Sequence, residues 1–167
     1  MFIDTRFLLP PAILACGLAL SAPAGAATVY NYMNPAGVCQ LSIPTTDTEV
    51  RPKATGYRNE STTENAFVIC GYGRPGAGTV AQIDLTLLSM DGANHSVTCT
   101  AVSAVNGASP QKYSSKTIVV SASPTTIAWN PADFGGTTEI PFTPMPSVTC
   151  ILPTQTAITQ VIDAYNQ

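Results

Sequence analysis

The chain has 167 residues, a net charge of −3 and only 10% charged side chains. That length is the size of one ordinary domain, and the mild acidity with scattered cations excludes a nucleic-acid footprint. Abundant Thr, Ser, Ala, Gly and Pro favour strands and turns over exposed helices, which usually display Glu and Lys.

The first stretch reads as an export signal: Arg6, an apolar run from Phe7 to Leu20, then the small residues Ala24, Gly25 and Ala26. A signal over residues 1–26 and a single domain over 27–167 are expected. Pro10 and Pro11 interrupt the run, which falls short of the roughly 20 apolar residues of a spanning helix, so no stable transmembrane anchor is expected. Ile13-Leu14-Ala15-Cys16 loosely resembles a lipoprotein acylation box, but a cysteine acting as a small hydrophobe within the signal is the simpler reading. The compartment is therefore secreted, extracellular or periplasmic, and a partner would be met at the cell surface or outside it.

Signal removal leaves Cys39, Cys70, Cys99 and Cys150, the arithmetic of two disulfides in an oxidising compartment. No C-x-x-C pair exists and His95 is the single histidine, so neither a metal site nor a cofactor is expected. Three pairings satisfy four cysteines. Sequence alone does not choose among them; Cys39 with Cys70 and Cys99 with Cys150 is the preferred pairing, and Cys70, Cys99 and Cys150, each ending a short β-branched or apolar run, FVIC, SVTC and SVTC, are expected in strands.

In chain order, the aromatic and polar run from Tyr30 to Pro35 leads into a strand around Val38 to Ile43, which Pro44 stops. Thr45 to Lys53 reads as a polar loop, and strands follow at Thr55 to Glu60 and Asn65 to Cys70. Four glycines and a proline make Gly71 to Gly78 a loop. From Val80 to Met90, Ile83, Leu85 and Leu87 alternate with Gln82, Asp84 and Thr86, the pattern of a half-buried strand. Asp91-Gly92 then predicts a hairpin into His95 to Ser103, with Val97, Cys99 and Ala101 on its inward face. Asn106-Gly107 marks another turn. Strands are expected at Lys112 to Ser121, Thr125 to Asn130, Thr137 to Phe142 and Ser147 to Leu152, with Pro141, Pro144 and Pro146 confined to an edge or loop. The last run, Ala157 to Tyr165, fits strand or helix. Together these predict an all-β fold, a disulfide-stapled antiparallel β-sandwich of about seven to nine strands.

Chemistry is harder to find. His95 could serve as a base, but Ser96 beside it would point to the opposite face and there is no G-x-S-x-G elbow. Asp47 with Glu49, and Glu60 with Glu64, are the close acid pairs, and both lie in polar stretches where solvated charges are the common outcome. The turn Asp91 to Asn94 has too few acids for a calcium loop. Asn59 and Asn94 open glycosylation triplets. Aromatic platforms for a sugar or a flat ligand could come from Trp129, Phe134 or the Tyr30, Tyr32, Tyr57 and Tyr72 set, with Trp129 better placed in the core. Tyr72 and Arg74, in the glycine-rich loop, are the candidate binding contacts. A non-enzymatic binding or envelope-associated module follows; the alternative is a small secreted enzyme, or an inhibitor acting through that loop.

The succession GYRNES from Gly56, FVIC from Phe67, SVTC from Ser96 and SVTCILP from Ser147 resembles a loose group of small exported bacterial proteins with no assigned activity. The resemblance implies a β-sandwich with two disulfides and brings no catalytic residues with it.

Overall fold

The computed structural model describes residues 27–43, 49–73, 78–103, 111–141 and 146–167. The export signal with Cys16, and Asp47, Arg74 and the Asn106-Gly107 turn, lie outside the described residues. Within them the strands are β1 (Thr28–Met33), β2 (Cys39–Leu41), β3 (Val50–Lys53), β4 (Gly56–Asn59), β5 (Ala66–Gly71) and β6 (Thr79–Ser89). They continue as β7 (His95–Ser103), β8 (Lys112–Val120), β9 (Thr125–Trp129), β10 (Ser147–Leu152) and β11 (Thr156–Asn166). One sheet runs β3-β4-β11-β6-β9 with β1 also paired to β11, and the other runs β2-β5-β10-β7-β8. All pairings are antiparallel, as the expected sandwich requires.

Period-2 alternation builds the core. Ile83, Leu85, Leu87, Ile127, Trp129 and Val161 face inward from the six-stranded sheet against Val68, Cys70, Val97, Cys99, Val148 and Leu152, all buried. Each buried aliphatic side chain contributes about 1.5–3 kcal/mol relative to exposure. Trp129 also donates its indole N–H to the Ser114 carbonyl at 3.0 Å, which satisfies its one polar atom.

Both disulfides form in the preferred pairing, Cys39 to Cys70 and Cys99 to Cys150. Each joins directly opposite residues of neighbouring strands, β2 with β5 and β7 with β10, so both brace one sheet and neither ties the two sheets together.

Local expectations change in several places. Asp91-Gly92 does not close a hairpin: β6 pairs with β11 and β9, and β7 with β10 and β8, so this turn carries the chain from one sheet to the other. Tyr30 lies in a strand, β1, and Val38 belongs to a helical turn, α1 (Pro35–Val38), whose first turn Asn34 caps through the Ala36 N–H. Val50–Lys53 is an edge strand rather than loop, which Pro52 tolerates because β3 pairs only with β4. Residues 137–139 form bends and Pro141 lies in a turn, held where the Ile140 N–H meets the Val80 carbonyl at 2.7 Å, and Pro141 has no N–H to extend a ladder. The last run is strand β11. Its register shifts between Ile158 and Gln160, so inward positions fall at Ile158 and then Val161, and this three-residue step imitates a helical spacing. No helix among the described residues is long and apolar enough to cross a membrane.

Candidate functional site

The residues singled out from sequence do not converge. Tyr72 is not the exposed contact expected: it is 2% exposed, because the alternation through Ala66, Val68 and Cys70 turns it inward, where its hydroxyl donates to the Asp84 carbonyl at 2.9 Å. Burial, then the Asp84 and Asp163 carboxylates, push that phenol well above its ordinary range. His95 opens β7 just after the β6–β7 turn between the sheets, with Nε2 2.9 Å from Asp91 Oδ1, and Ser89 also donates to that oxygen at 2.7 Å. The acid thus gathers both partners, so the Ser89 hydroxyl is directed to Asp91 and not to the imidazole. Its hydrogen bonds from His95, Ser89 and the Ala93 N–H hold the Asp91 carboxyl down to about 2. Glu60 pairs with Arg51 and Lys53 at the sheet edge, which lowers its carboxyl and suits a solvated charge cluster. Among the described residues no group of acids, histidine and cysteines could hold a metal ion.

Another surface does bring chemistry together. On the outer face of the six-stranded sheet, the registers place Tyr30, Ala164 and Gln82 in one row and Tyr32, Ile162, Asp84 and Ala128 in the next. A third row holds Gln160, Thr86 and Thr126, with the two threonine hydroxyls 2.9 Å apart. Rows lie about 6.8 Å apart and neighbouring strands about 4.8 Å apart. Tyr30 is 55% exposed and Tyr32 65%, so two rings stand side by side along β1. Beside them runs a low strip of Ala164 and Ile162, and beyond it Gln82 Nε2 lies 2.8 Å from each oxygen of Asp84. Burial pushes the Asp84 carboxyl up, and the Gln82 amide offsets part of that.

This face was missed because it is assembled from four strands far apart in sequence. Its legible trace was the period-2 spacing of Tyr30 and Tyr32, together with the Gln82, Asp84, Thr86 alternation.

A buried cluster pins β1 from behind. Asn31, between the two tyrosines, faces inward opposite Asp163, bonds to its carboxylate and donates Nδ2 to the Gly73 carbonyl at 3.2 Å. Asp163 is 2% exposed, and its Oδ1 has no hydrogen-bond partner among the described residues. Burial raises its carboxyl above the ordinary 3.8, with the Asn31 contact working the other way. Because the folded state holds this proton more tightly than the unfolded chain, the stabilising contribution is complete below about pH 3.8 and is lost as pH rises through the raised folded value. Asp163→Asn is therefore expected to flatten the fall in melting temperature between about pH 4 and pH 7, leaving the share due to Asp84. Scanning calorimetry across that window checks it, and an unchanged slope would refute the assignment.

No family model and no curated protein matches this chain. Among solved structures, the fold is similar to one described as "CBM4 structure and function", at 10% identity and a TM-score of 0.37, covering 83% of this chain and 86% of that one. It is also similar to a family 11 carbohydrate-binding module from Clostridium thermocellum in complex with a β-1,3-1,4-mixed-linked tetrasaccharide, at 11% identity and a TM-score of 0.38, covering 83% and 85%. At TM-scores below 0.5 neither likeness decides a ligand for this chain.

Proposed function

We propose that the protein is an exported, non-catalytic carbohydrate-binding module and that the outer face of its six-stranded sheet takes the glycan. The observation that carries this is the placing of two exposed tyrosines, Tyr30 and Tyr32, on the same sheet face as a polar line at Gln82, Asp84 and Thr86, in which Gln82 is half-buried and Asp84 and Thr86 are largely covered. Sugar rings present an apolar C–H face and an equatorial belt of hydroxyls. The phenol rings offer apolar area to the first, and the polar line offers acceptors and donors to the second. Gln82 donates to both oxygens of the largely covered Asp84 carboxylate, which fixes the Gln82 amide on this face. Binding rather than hydrolysis is favoured because Asp84 stands as the single acid of the three rows, whereas glycosidic cleavage ordinarily takes two carboxylates across the bond. Asp163 projects to the opposite side of the sheet.

Affinity electrophoresis through gels containing barley β-glucan, xylan, dextran or galactomannan tests the reading. Retardation by at least one polymer is expected. Tyr30→Ala and Tyr32→Ala should each weaken it about tenfold, roughly 1–2 kcal/mol for a lost stacking contact, and the double variant about a hundredfold. Unaltered mobility of the wild-type protein in every gel, or full retention by the double variant, would sink the proposal.

A further inference from the structure

The third row of the face is incomplete on the tyrosine side. β11 pairs with β4 through Ile158 and with β1 from Val161 onward, both on the same flank, so the registers leave Thr159 and Gln160 without a ladder partner there. The gap is a notch of about 280 Å³. Thr159 and Gln160 form its floor, Tyr32 to Pro35 one wall, and the β3–β4 turn at Ala54, Thr55 and Gly56 the other. It continues the line of the two tyrosines: Tyr30, Tyr32, the notch, and then Arg58 one row further on β4.

Its lining suits a polyol. Asn34 uses its side-chain oxygen to cap α1 and leaves Nδ2 out of that bond. The Thr55 hydroxyl accepts from Arg58 Nη2 and keeps its own proton to donate. Gln160 is exposed and carries both a donor and an acceptor, while Tyr32 supplies an apolar flank. Among the described residues no carboxylate lines the notch.

The turn that closes the far wall is fixed in place. Gly56 has φ +138°, and a Cβ there would lie 2.3 Å from the Ile158 carbonyl oxygen, so the turn seats directly on β11 because this residue is glycine. Ala54 and Thr55 thus bound the far side of the notch at the end of the tyrosine line.

We infer that the notch is a subsite for the terminal sugar residue, which makes the module a reader of glycan chain ends rather than of chain interiors; this rests on the glycan-binding reading of the adjacent face. An end-reader has a capacity set by the number of chains, whereas a platform for chain interiors has a capacity set by polymer mass.

The test uses whichever of the four polysaccharides retards the protein, taken intact and as size-fractionated hydrolysates of about 5, 20 and 100 residues. Isothermal titration should give a saturating capacity per gram that rises in proportion to the number of chain ends. Thr55→Trp, which fills the notch from an exposed turn position, should weaken binding of the shortest fraction at least tenfold with thermal unfolding unchanged. Amide shifts on adding that fraction should centre on residues 32–34, 54–56 and 159–160. A capacity per gram independent of chain length, with Thr55→Trp binding like wild type, overturns the inference while Tyr30→Ala and Tyr32→Ala still weaken binding. Loss of any tyrosine effect, or no binding by any of the four, overturns the glycan reading itself and the inference with it.

Discussion

Asn59→Ala is expected to destabilise the fold by about 3 kcal/mol and to lower the melting temperature by roughly 10 °C. Asn59 is fully buried, at 0% exposure, and its amide is the hub of one end of the sandwich. Nδ2 lies 2.9 Å from the Glu64 carbonyl, 3.0 Å from that of Leu152 and 3.1 Å from that of Pro153, while Oδ1 accepts from the Ser61 N–H at 3.1 Å. It thereby ties β4 to the loop that follows it and to the β10–β11 turn. Truncation leaves buried carbonyls without a donor, each costing about 1–3 kcal/mol, and opens a small cavity beside them. Asn59→Asp should be worse than alanine near neutral pH, because an acceptor-only carboxylate would then face three carbonyl oxygens. Urea denaturation of the two variants reads both effects, and a cost below about 0.5 kcal/mol for alanine would remove the hub from the account. The same burial predicts that the Asn59-Glu60-Ser61 triplet carries no glycan in the folded protein, since its acceptor nitrogen is spent on backbone carbonyls.

The Cys99→Ala/Cys150→Ala variant is expected to lose about 4 kcal/mol, and removal of both disulfides to leave no stable fold near 37 °C. Cys99 and Cys150 are 51 residues apart and Cys39 and Cys70 are 31 apart, so each bond closes a long loop in the denatured chain. The chain-entropy model gives about 3.5–4 kcal/mol for loops of this size. Two such terms rival the 5–15 kcal/mol net stability of an ordinary domain. Each bridge also fixes register: Cys99 opposite Cys150 and Cys39 opposite Cys70 forbid the one-residue slip that would turn core positions such as Val97 and Val148 toward solvent. Denaturant titrations of the two double variants and the quadruple variant check the prediction. If the quadruple variant kept a cooperative transition at wild-type urea concentration, the denatured chain would have to be held compact by something other than these links.

Gly56→Ala is a third stability test, smaller in scale and local to the notch. Its positive φ and the contact with the Ile158 carbonyl predict a loss of roughly 1–3 kcal/mol together with a shifted β3–β4 turn. Near-neutral stability would place the turn elsewhere in solution.

Several elements were legible in the sequence because their signals are local. Ile83, Leu85 and Leu87 alternate with polar neighbours, and the structure buries those three at 0% exposure and turns Gln82, Asp84 and Thr86 to the outer face. Asp91-Gly92 marks a turn as expected, with Gly92 at φ +78° as a residue without Cβ allows, although the turn joins strands of different sheets rather than a hairpin. Val97, Cys99 and Ala101 share the inward side of β7, and the cysteine runs lie on strands whose pairing brings the preferred partners opposite each other. In each case a period of two residues, or a turn needing positive φ, leaves its mark within ten positions.

The candidate site left no such mark, and the reason is topological. Its aromatic column comes from β1 near the start of the domain, its floor from β11 at the end, and its polar line from β6 in the middle. Only pairing of Thr28–Met33 with Val161–Asn166 sets Tyr30 and Tyr32 beside Gln82 and Asp84. β1 and β4 share one edge of β11, β4 along Thr156 to Ile158 and β1 from Val161 onward. Tyr72 shows the converse: a glycine-rich flank argued for exposure, yet the alternation of β5 and a buried carbonyl acceptor at Asp84 drew the ring inward. The residues alone determined an all-β chain, the inward faces of its clearest strands and four cysteines suited to two disulfides, since those follow from composition and from neighbours along the chain; which cysteines meet was decided by strand pairing. Tertiary structure decided which outward faces meet and where β11 changes partner to leave a notch, because long-range strand order is set by the burial of whole sheets and not by any single segment.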